Sequence, residues 1–181
     1  MAEYIFTAYD GQFPAIFEQE KSELRKVLPF ATTIEHFGST AVPGLGGKGV
    51  LDIYVLVPAD MFELARQKLL DSNIGYDFYN VKELDGGRKM IFRKQYQYAG
   101  KVRKTNLHVG TVGIKDFDTC IAFRDALRNS ETLCRMYEDV KRLAIEQTEN
   151  EGEDSKENSR RYVEAKDTFM THYTQHVSRD R

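Results

Sequence analysis

A glycine-rich segment holds the residues whose types and spacing could carry chemistry. A predicted strand leads into Gly38-Ser39, and the next predicted strand carries Asp52 on its polar face. Glycine lets the backbone approach a ligand closely, and the N–H groups that follow such a turn can bind phosphate. Carboxylates are ligands for Mg²⁺, so the two features together are typical of metal-assisted phosphoryl transfer if the strands are neighbours. The alternative is a glycine-rich connection in which Asp52 only caps or pairs.

Other side chains are candidates for the same site. His108 could move a proton near neutral pH, and a hydrogen-bonded structural histidine is an equally common alternative. Lys48 lies among glycines and could reach a phosphate or remain a surface lysine. Lys141 and Lys166 lie on predicted helices and could point into a cleft, although lysines usually extend into solvent. We expect His36, which precedes the turn, to support it from behind.

Length and composition narrow the class of protein. The chain has 181 residues and a formal net charge of −2, from 26 Lys and Arg against 28 Asp and Glu. At about 150 residues per domain, this length predicts a single domain over residues 1–181. The apolar runs are far shorter than the roughly 20 residues that cross a bilayer, and the amino terminus lacks a signal-peptide pattern. With two cysteines a disulfide scaffold is excluded, and we expect a cytoplasmic protein with no membrane partner.

The charges are unevenly distributed. Residues 86–115 include eight basic side chains and no acidic one, whereas residues 147–158 are rich in acid and predict an exposed loop. Aromatic and basic residues alternate in the basic segment, which could serve base stacking along a nucleic acid. We favour the alternative, in which the aromatic side chains lie in the core and the basic side chains lie on the solvent-exposed face of a sheet. A local phosphate ligand is therefore allowed, and nucleic acid is not expected as a partner.

Apolar residues at helical spacing predict a series of helices. The first ends before Pro29, and the second begins at Asp60 with Glu63 as its capping-box partner. Asp116 and Ser130 are the predicted N-caps of the next two helices, and the last helix covers residues 162–173. The helix after Ser130 is expected to bury one stripe of side chains: Leu133, Met136, Tyr137, Val140, Leu143 and Ala144.

The strongest strand pattern covers residues 50–57, which alternate between an apolar face and a second face with Asp52 and Tyr54. Residues 32–37, 88–98 and 102–112 predict further strands, and Ala99-Gly100 predicts a hairpin between the last two. This order predicts an α/β or α+β fold, a mixed sheet flanked by helices. Its helical C-terminal part begins at about residue 116.

The string EHFGSTAVPGLGGKGVLDIYVLV at residues 35–57 resembles the signature of the GrpB family, which is placed in the nucleotidyltransferase superfamily with DNA polymerase β. The resemblance covers nearly the whole chain and implies a nucleotidyltransferase-like fold. Further matches lie in the opening helix, in a Leu-His strand and in the last helices: Tyr9-Asp10, Phe13-Pro14, Asn106-Leu107-His108-Val109, Phe123-Arg124-Asp125, Tyr137 with Lys141, and Tyr162 with Lys166.

The resemblance implies transfer of a nucleotidyl group from a nucleoside triphosphate with Mg²⁺, and no organic cofactor is evident. The superfamily pattern has Gly-Ser on a turn, followed by three carboxylates on two strands. Asp52 matches the first carboxylate, whereas Tyr54 stands at the second position and Asn106 or His108 at the third. Since Mg²⁺ prefers oxygen ligands, this set is incomplete. Three outcomes remain open: one metal held by Asp52 and substrate phosphates, His108 as acid or base, or nucleotide binding without turnover.

The predicted site therefore has Asp52 and His108 as catalytic residues and Asp52 as the metal ligand. The predicted phosphate- or nucleotide-binding residues are Gly38, Ser39, Thr40, Lys48 and Lys141. The expected partner is a nucleotide or small phosphorylated ligand. The alternative function is a non-catalytic module that assists folding or assembly of a protein partner, a role suggested for GrpB-like domains fused to dephospho-CoA kinase. The chain has no Gly-x-x-x-x-Gly-Lys-Ser/Thr string, so we expect such a partner to be a separate protein.

Overall fold

The computed structural model describes residues 5–151 and 155–177, whose helices and strands confirm the predicted α+β class. One short 3-10 turn, Ser39–Ala41, follows the first strand, and another, Ala59–Met61, precedes the second helix. The strands are β1 (Thr33–Phe37), β2 (Val50–Val57), β3 (Asp77–Leu84), β4 (Gly87–Tyr98) and β5 (Lys101–Thr111). The helices are α1 (Phe13–Val27), α2 (Phe62–Asp71), α3 (Lys115–Asn129), α4 (Glu131–Glu151) and α5 (Ser155–Val177).

The strands form one mixed sheet in the order β1-β2-β5-β4-β3. β2 and β5 run parallel, and the other neighbours are antiparallel. The predicted hairpin joins β4 and β5 at Ala99-Gly100, where Ala99 has a φ of 49°. The parallel pair brings together strands that are distant in sequence, so Asp52 of β2 lies beside Asn106 of β5.

The alternation of β2 separates two faces of the sheet, as predicted. Asp52, Tyr54 and Leu56 point to one face, where α3 covers Tyr54 and Leu56. Asp52 lies nearer the start of the strand, beyond this cover. The other face packs under α1 and α2 in the main core, whose burial is the principal source of stability. It carries the alternate aliphatic residues Leu51, Ile53, Val55 and Val57.

The start of α2 differs from the prediction. The helix begins at Phe62 rather than at Asp60, and no side chain caps it, so Asp60 and Glu63 form no capping box. A 3-10 turn leads into the helix instead, with a backbone hydrogen bond of 3.0 Å from Met61 N–H to Pro58 O. This tight turn replaces the side-chain cap that the sequence pattern indicated.

The predicted N-cap of α3 is also wrong. The helix begins at Lys115 with Ile114 at the cap position, and Asp116 lies within the first turn. Its carboxylate accepts a hydrogen bond from Tyr54 Oη at 2.9 Å and another from Lys89 Nζ at 2.5 Å. Contact with the sheet, and not the end of the helix, therefore determines the role of Asp116.

The start of α4 confirms one prediction, and its buried stripe corrects another. Ser130 Oγ accepts a hydrogen bond of 3.2 Å from the N–H of Leu133, as an N-cap does. Met136 and Leu143 were predicted to be buried but are 52% and 57% exposed. The stripe contains Lys141 instead, which is fully buried, because this side of α4 faces the glycine-rich segment.

Two further segments differ from the sequence expectations. β3 was not predicted, because as an edge strand with Tyr79 and Val81 about half exposed it lacks a clean apolar alternation. The predicted acidic loop is wrong over residues 147–151 and 155–158, which are helical. Residues 152–154 of that prediction lie outside the described residues. Among the described residues, none of the helices is long and apolar enough to cross a membrane.

Candidate functional site

The turn after β1 has a backbone conformation that requires glycine. Gly38 has φ 72° and ψ −170°, a region that is almost confined to glycine. A Cβ placed on Gly38 would lie 2.5 Å from Asp52 Oδ2. The antiparallel pairing of Phe37 with Asp52 brings the carboxylate to this place. The predicted turn and the predicted carboxylate are therefore direct neighbours.

A row of polar side chains crosses the sheet from this turn. Asp52 is paired with Asn106, Asn106 with Arg93, and Arg93 with Asp77, on four successive strands. Paired residues on neighbouring strands point to the same face, so the row lies opposite the main core. At about 4.8 Å between strands, it is about 14 Å long.

A cavity of about 540 Å³ lies over this row. The sheet forms its floor, and Tyr162, Val163 and Lys166 of α5 form a wall. Its volume is in the range of small-molecule sites. Five of the lining residues are cationic and two are acidic: Lys48, Arg93, Lys94, Lys104 and Lys166 against Asp52 and Asp77. Lys94 is paired with Glu20 at 2.7 Å, and the other four cations still outnumber the two acids, which favours an anionic ligand.

A second cavity, of about 700 Å³, lies behind the turn and is a weaker candidate. Both of its arginines are already bonded, since Arg124 binds Glu35 and the His36 carbonyl, while Arg128 donates twice to the Ala41 carbonyl. Its acidic residues outnumber these arginines: Glu18, Glu35 and Glu131. The cavity beside Asp52 is therefore better suited to an anion, although it is smaller.

Asp52 is the acidic centre of the candidate site. Its Oδ1 accepts a hydrogen bond of 2.9 Å from Asn106 Nδ2. Burial raises the pKa of Asp52, whereas the charge of Lys166, the hydrogen bond from Asn106 and the charge of Lys48 act in the opposite direction. Lysines on two other elements therefore balance the carboxylate.

Lys48 and Lys166 are held around one aromatic ring. Their Nζ atoms lie 4.1 and 5.4 Å from the ring centroid of Tyr162, which is 3% exposed. Burial and the charge of Lys166 lower the pKa of Lys48 to about 8. Tyr137 and then Tyr162 and Asp52 raise the pKa of Lys166, against the effect of burial. Both ammonium groups are therefore largely protonated near neutral pH.

Lys141 lies beneath the glycine-rich segment, next to Ser39. Its Nζ donates a hydrogen bond to Gly46 O. A Cβ added to Gly47 would lie 3.0 Å from Ser39 Oγ and 3.4 Å from Lys141 Nζ, so the two polar atoms share this space. Burial, and then the charge of Lys166, lowers the pKa of Lys141 to about 7. Lys141 does not line the cavity, and phosphate binding by it stays a prediction.

Thr40 and His36 face away from the cavity. Thr40 Oγ1 donates a hydrogen bond of 3.2 Å to Val50 O and is bonded to His36 Nε2 at 2.9 Å. The His36 ring stacks on Phe17 with centroids 5.0 Å apart. Burial, followed by the charges of two nearby arginines, lowers the pKa of His36 to about 4. His36 thus lies behind the turn, as expected, while ligand binding by Thr40 stays a prediction.

His108 lies in an aromatic cluster and not in the cavity lining. Its ring centroid is 5.0 Å from that of Phe37 and 5.7 Å from that of Tyr54. Burial, and then the charge of Lys89, lowers the pKa of His108 to about 3, so its ring is neutral near pH 7. Within the part of the chain that the structure describes, Nδ1 has no hydrogen-bond partner. Acid–base catalysis by His108 stays a prediction.

The donor set beside Asp52 does not fit a pair of magnesium ions. Tyr54, at the second carboxylate position, donates its hydrogen bond to Asp116 Oδ2, and burial raises its pKa. Asn106, at the third position, directs its amide nitrogen to Asp52. Among the residues described in 5–151 and 155–177, no group of three or more His, Cys, Asp or Glu is placed to hold a metal ion.

The predicted phosphate-binding set omitted four cationic residues that line the cavity: Arg93, Lys94, Lys104 and Lys166. Strand alternation already placed Arg93 on the face opposite the aromatic core residues, and the hairpin register then pairs it with Asn106. For Lys166 the available signal was its resemblance to a family position, since helix periodicity does not tell which side of α5 meets the sheet.

Comparisons with known proteins agree with the fold and the sequence pattern. The sequence model of the GrpB protein family matches residues 4–176. A UPF0157 protein from Halalkalibacterium halodurans is 33% identical over 135 residues, 74% of this chain and 65% of that protein. The crystal structure of conserved protein GrpB from Enterococcus faecalis superposes with a TM-score of 0.66 and 21% identity, covering 93% of this chain and 99% of that one.

A structure of the Cid1 poly(U) polymerase with MgGTP bound superposes with a TM-score of 0.50 and 17% identity, covering 76% of this chain and 44% of that one. At this identity the likeness shows a nucleotidyltransferase-like fold. The chain spans 65% of the Halalkalibacterium halodurans relative and 53% of a UPF0157 protein from Pseudomonas aeruginosa. The match over nearly the whole length confirms the resemblance seen in the sequence, and the chain belongs to the GrpB protein family.

Proposed function

We propose that the chain binds a nucleotide or another phosphorylated ligand in the cavity beside Gly38-Ser39. The observation that carries the proposal is the excess of cationic over acidic residues around this cavity. Phosphates are stabilised by such a concentration of positive charge, and Gly38 lets the backbone come close to a ligand. The fold supports the same function, because the similar Cid1 poly(U) polymerase was crystallised with MgGTP bound.

The dimensions of the cavity favour an extended ligand. The polar row that forms its floor runs for about 14 Å from Asp52 to Asp77. Phosphates near Lys48 and Lys166 would leave a base or another polar group close to Arg93. The Arg93 guanidinium is itself held 3.4 Å from the ring centroid of Tyr79, so this end of the cavity has a fixed planar cation.

Transfer of a nucleotidyl group is not part of the proposal. In that chemistry two metal ions neutralise the phosphates and are held by several carboxylates. Here the positions that accompany Asp52 are occupied by Tyr54 and Asn106, whose polar groups are bonded to protein carboxylates. Binding of a phosphorylated ligand uses the charges that are present.

Thermal unfolding tests the proposal with four probes: ATP, UTP, dephospho-coenzyme A and inorganic pyrophosphate, each with and without Mg²⁺. A ligand at a hundred times its Kd stabilises the folded state by about 2.7 kcal/mol. For a chain of this size, that stabilisation raises Tm by roughly 5–10 °C. We expect a shift of this order with at least one probe.

A pair of variants locates the binding. Lys104→Met removes a lining cation and should reduce the ligand-induced shift. Lys68→Met is the control, because Lys68 is an exposed residue of α2, on the opposite face of the sheet. If none of the probes shifts Tm at millimolar concentration, the proposal is wrong, and assistance in the folding or assembly of another protein becomes the favoured function.

A further inference from the structure

We infer that Lys166 takes the place of a divalent cation in this cavity: with Lys48, it neutralises the phosphate charge of the ligand, so that binding requires no metal. The inference rests on the proposed function and concerns how the same cavity binds its ligand. The Cid1 poly(U) polymerase, which has a similar fold, carries magnesium with its nucleotide, whereas this cavity is rich in lysine and arginine.

The groups that could hold a cation beside the turn are committed to other bonds. Tyr54 Oη donates to Asp116 Oδ2, and Lys89 binds the same carboxylate oxygen. This contact turns Asp116 towards the aromatic cluster under α3, away from Asp52. Asn106 presents a hydrogen-bond donor, not an oxygen, to Asp52. A metal ion at this point would have Asp52 as its protein carboxylate, and Asp52 Oδ1 already accepts the hydrogen bond from Asn106.

The two lysines lie where a cation could neutralise the charge of a bound phosphate. They reach the cavity from different elements, Lys48 from the glycine-rich segment and Lys166 from α5. The ring of Tyr162 is within reach of both ammonium groups, with its centroid 4.1 Å from Lys48 Nζ and 5.4 Å from Lys166 Nζ. An aromatic face that holds two like charges together preserves a positive centre next to Ser39 and Asp52.

The local field favours a phosphate over a metal ion. Lys166 and Lys48 line the same cavity as Asp52, so their charges act at the point where a metal ion would bind. A divalent cation arriving there is repelled by Lys166 and Lys48, and this repulsion is only weakly screened in a partly buried site. A phosphate is attracted by the same two charges.

Isothermal titration with ATP and with inorganic pyrophosphate tests the inference, first in EDTA and then with Mg²⁺ in its place. Binding in EDTA should be at least as tight as binding in Mg²⁺, because Mg²⁺ also complexes the free probe. Loss of one charge-assisted contact should make Lys166→Met bind about tenfold more weakly, or worse, in EDTA. Lys166→Arg keeps the charge and should retain most of the affinity, and circular dichroism confirms that each variant is folded.

The outcomes separate this inference from the proposed function. Binding that vanishes in EDTA and returns with Mg²⁺ overturns the inference and leaves the proposed function intact. Binding in EDTA that Lys166→Met does not weaken also overturns it. If the probes bind neither in EDTA nor in Mg²⁺, the proposed function fails first, and the inference fails with it.

A gain-of-function variant gives an independent test. Asn106→Asp adds a carboxylate next to Asp52 and removes the hydrogen bond between them. Two close carboxylates repel each other and together form a better magnesium ligand. Mg²⁺ without a nucleotide should therefore raise the Tm of this variant and leave that of the wild type unchanged. Asn129→Asp, at an exposed residue, is the matched control. A wild-type chain that Mg²⁺ stabilises as strongly as Asn106→Asp contradicts the inference.

Discussion

Replacement of Gly38 by alanine tests whether the turn and the carboxylate form one unit. The added Cβ would lie 2.5 Å from Asp52 Oδ2 and 3.2 Å from both Cβ and Cγ of Asp52. To relieve this contact the carboxylate must move, which breaks its 2.9 Å hydrogen bond with Asn106. The substitution therefore acts on the central side chain of the site as well as on the backbone.

Two destabilising effects add in this variant. A residue other than glycine at φ 72° and ψ −170° loses about 1–3 kcal/mol of stability. A methyl group forced into occupied space typically lowers the free energy of unfolding by another 1–3 kcal/mol or so. If the carboxylate moves away instead, the loss of the Asp52–Asn106 hydrogen bond lowers it by about 1 kcal/mol. We therefore expect Gly38→Ala to lower the free energy of unfolding by roughly 2–6 kcal/mol.

Urea unfolding of a double-mutant cycle separates the two effects. In an Asp52→Ala background the Oδ2 and Cγ atoms are absent and the 3.2 Å approach to Cβ is what remains of the contact, so Gly38→Ala should show mainly the backbone effect. We expect a coupling free energy of about 1–3 kcal/mol between the two substitutions. Gly44→Ala is the matched control, because Gly44 has φ 81° but its added Cβ would meet no atom within 4 Å. It should not be coupled to Asp52.

Equal destabilisation of the wild type and of the Asp52→Ala background by Gly38→Ala would contradict a contact between the turn and the carboxylate. The same contact is also refuted if Gly38→Ala is no more destabilising than Gly44→Ala. In either case the carboxylate would move without loss of stability, and Gly38 would be needed for its backbone angles alone.

Three further predictions follow from buried titratable groups, and each is measured by unfolding in urea across a range of pH. His36 and His108 have pKa values lowered from 6.5 to about 4 and 3, so stability should fall as pH falls below 6.5, by up to about 1.4 kcal/mol per pH unit for each ring. His108→Phe should make this decline shallower, and an unchanged slope would contradict burial of a neutral ring. Lys141 has a pKa lowered from 10.5 to about 7, so stability should rise between these values, and Lys141→Met should remove part of the rise. The raised pKa of Asp52 means that its contribution is present below 3.8 and lost as pH rises, so Asp52→Asn should be more stable than the wild type at neutral pH.

The sequence was sufficient to predict which side chains of β2 and β4 share a face of the sheet. The alternation of β2 placed Asp52 opposite the aliphatic core, since a period of two assigns side chains to faces without knowledge of the partners. The hairpin at Ala99-Gly100 likewise set the register of β4 and β5. Gly38 and Asp52 were expected to lie together only if the two strands are neighbours, and the antiparallel pairing of β1 with β2 meets this condition.

Features that depend on contacts between distant segments were not predictable in this way. Asp116 resembles an N-cap in sequence, but Tyr54 and Lys89 bind it across the sheet. Met136 has the spacing of a buried residue, yet it is exposed because the buried stripe of α4 runs through Lys141. The side of α5 that meets the cavity, and hence the place of Lys166, is likewise decided by helix packing and not by local pattern.

The strand pattern and the helix packing are set separately, and this explains how a nucleotidyltransferase-like fold can carry a different set of charges. Strand register fixes where the side chains at positions 52, 54 and 106 project, whatever their chemistry, so Tyr54 and Asn106 occupy carboxylate positions without disturbing the sheet. Lys166 reaches the same cavity from a helix outside the sheet. A fold therefore does not determine the chemistry of its site. The likeness to the Cid1 poly(U) polymerase shows the fold. Under the proposed function, the acidic or basic character of a few projecting side chains decides whether metal or lysine neutralises the ligand.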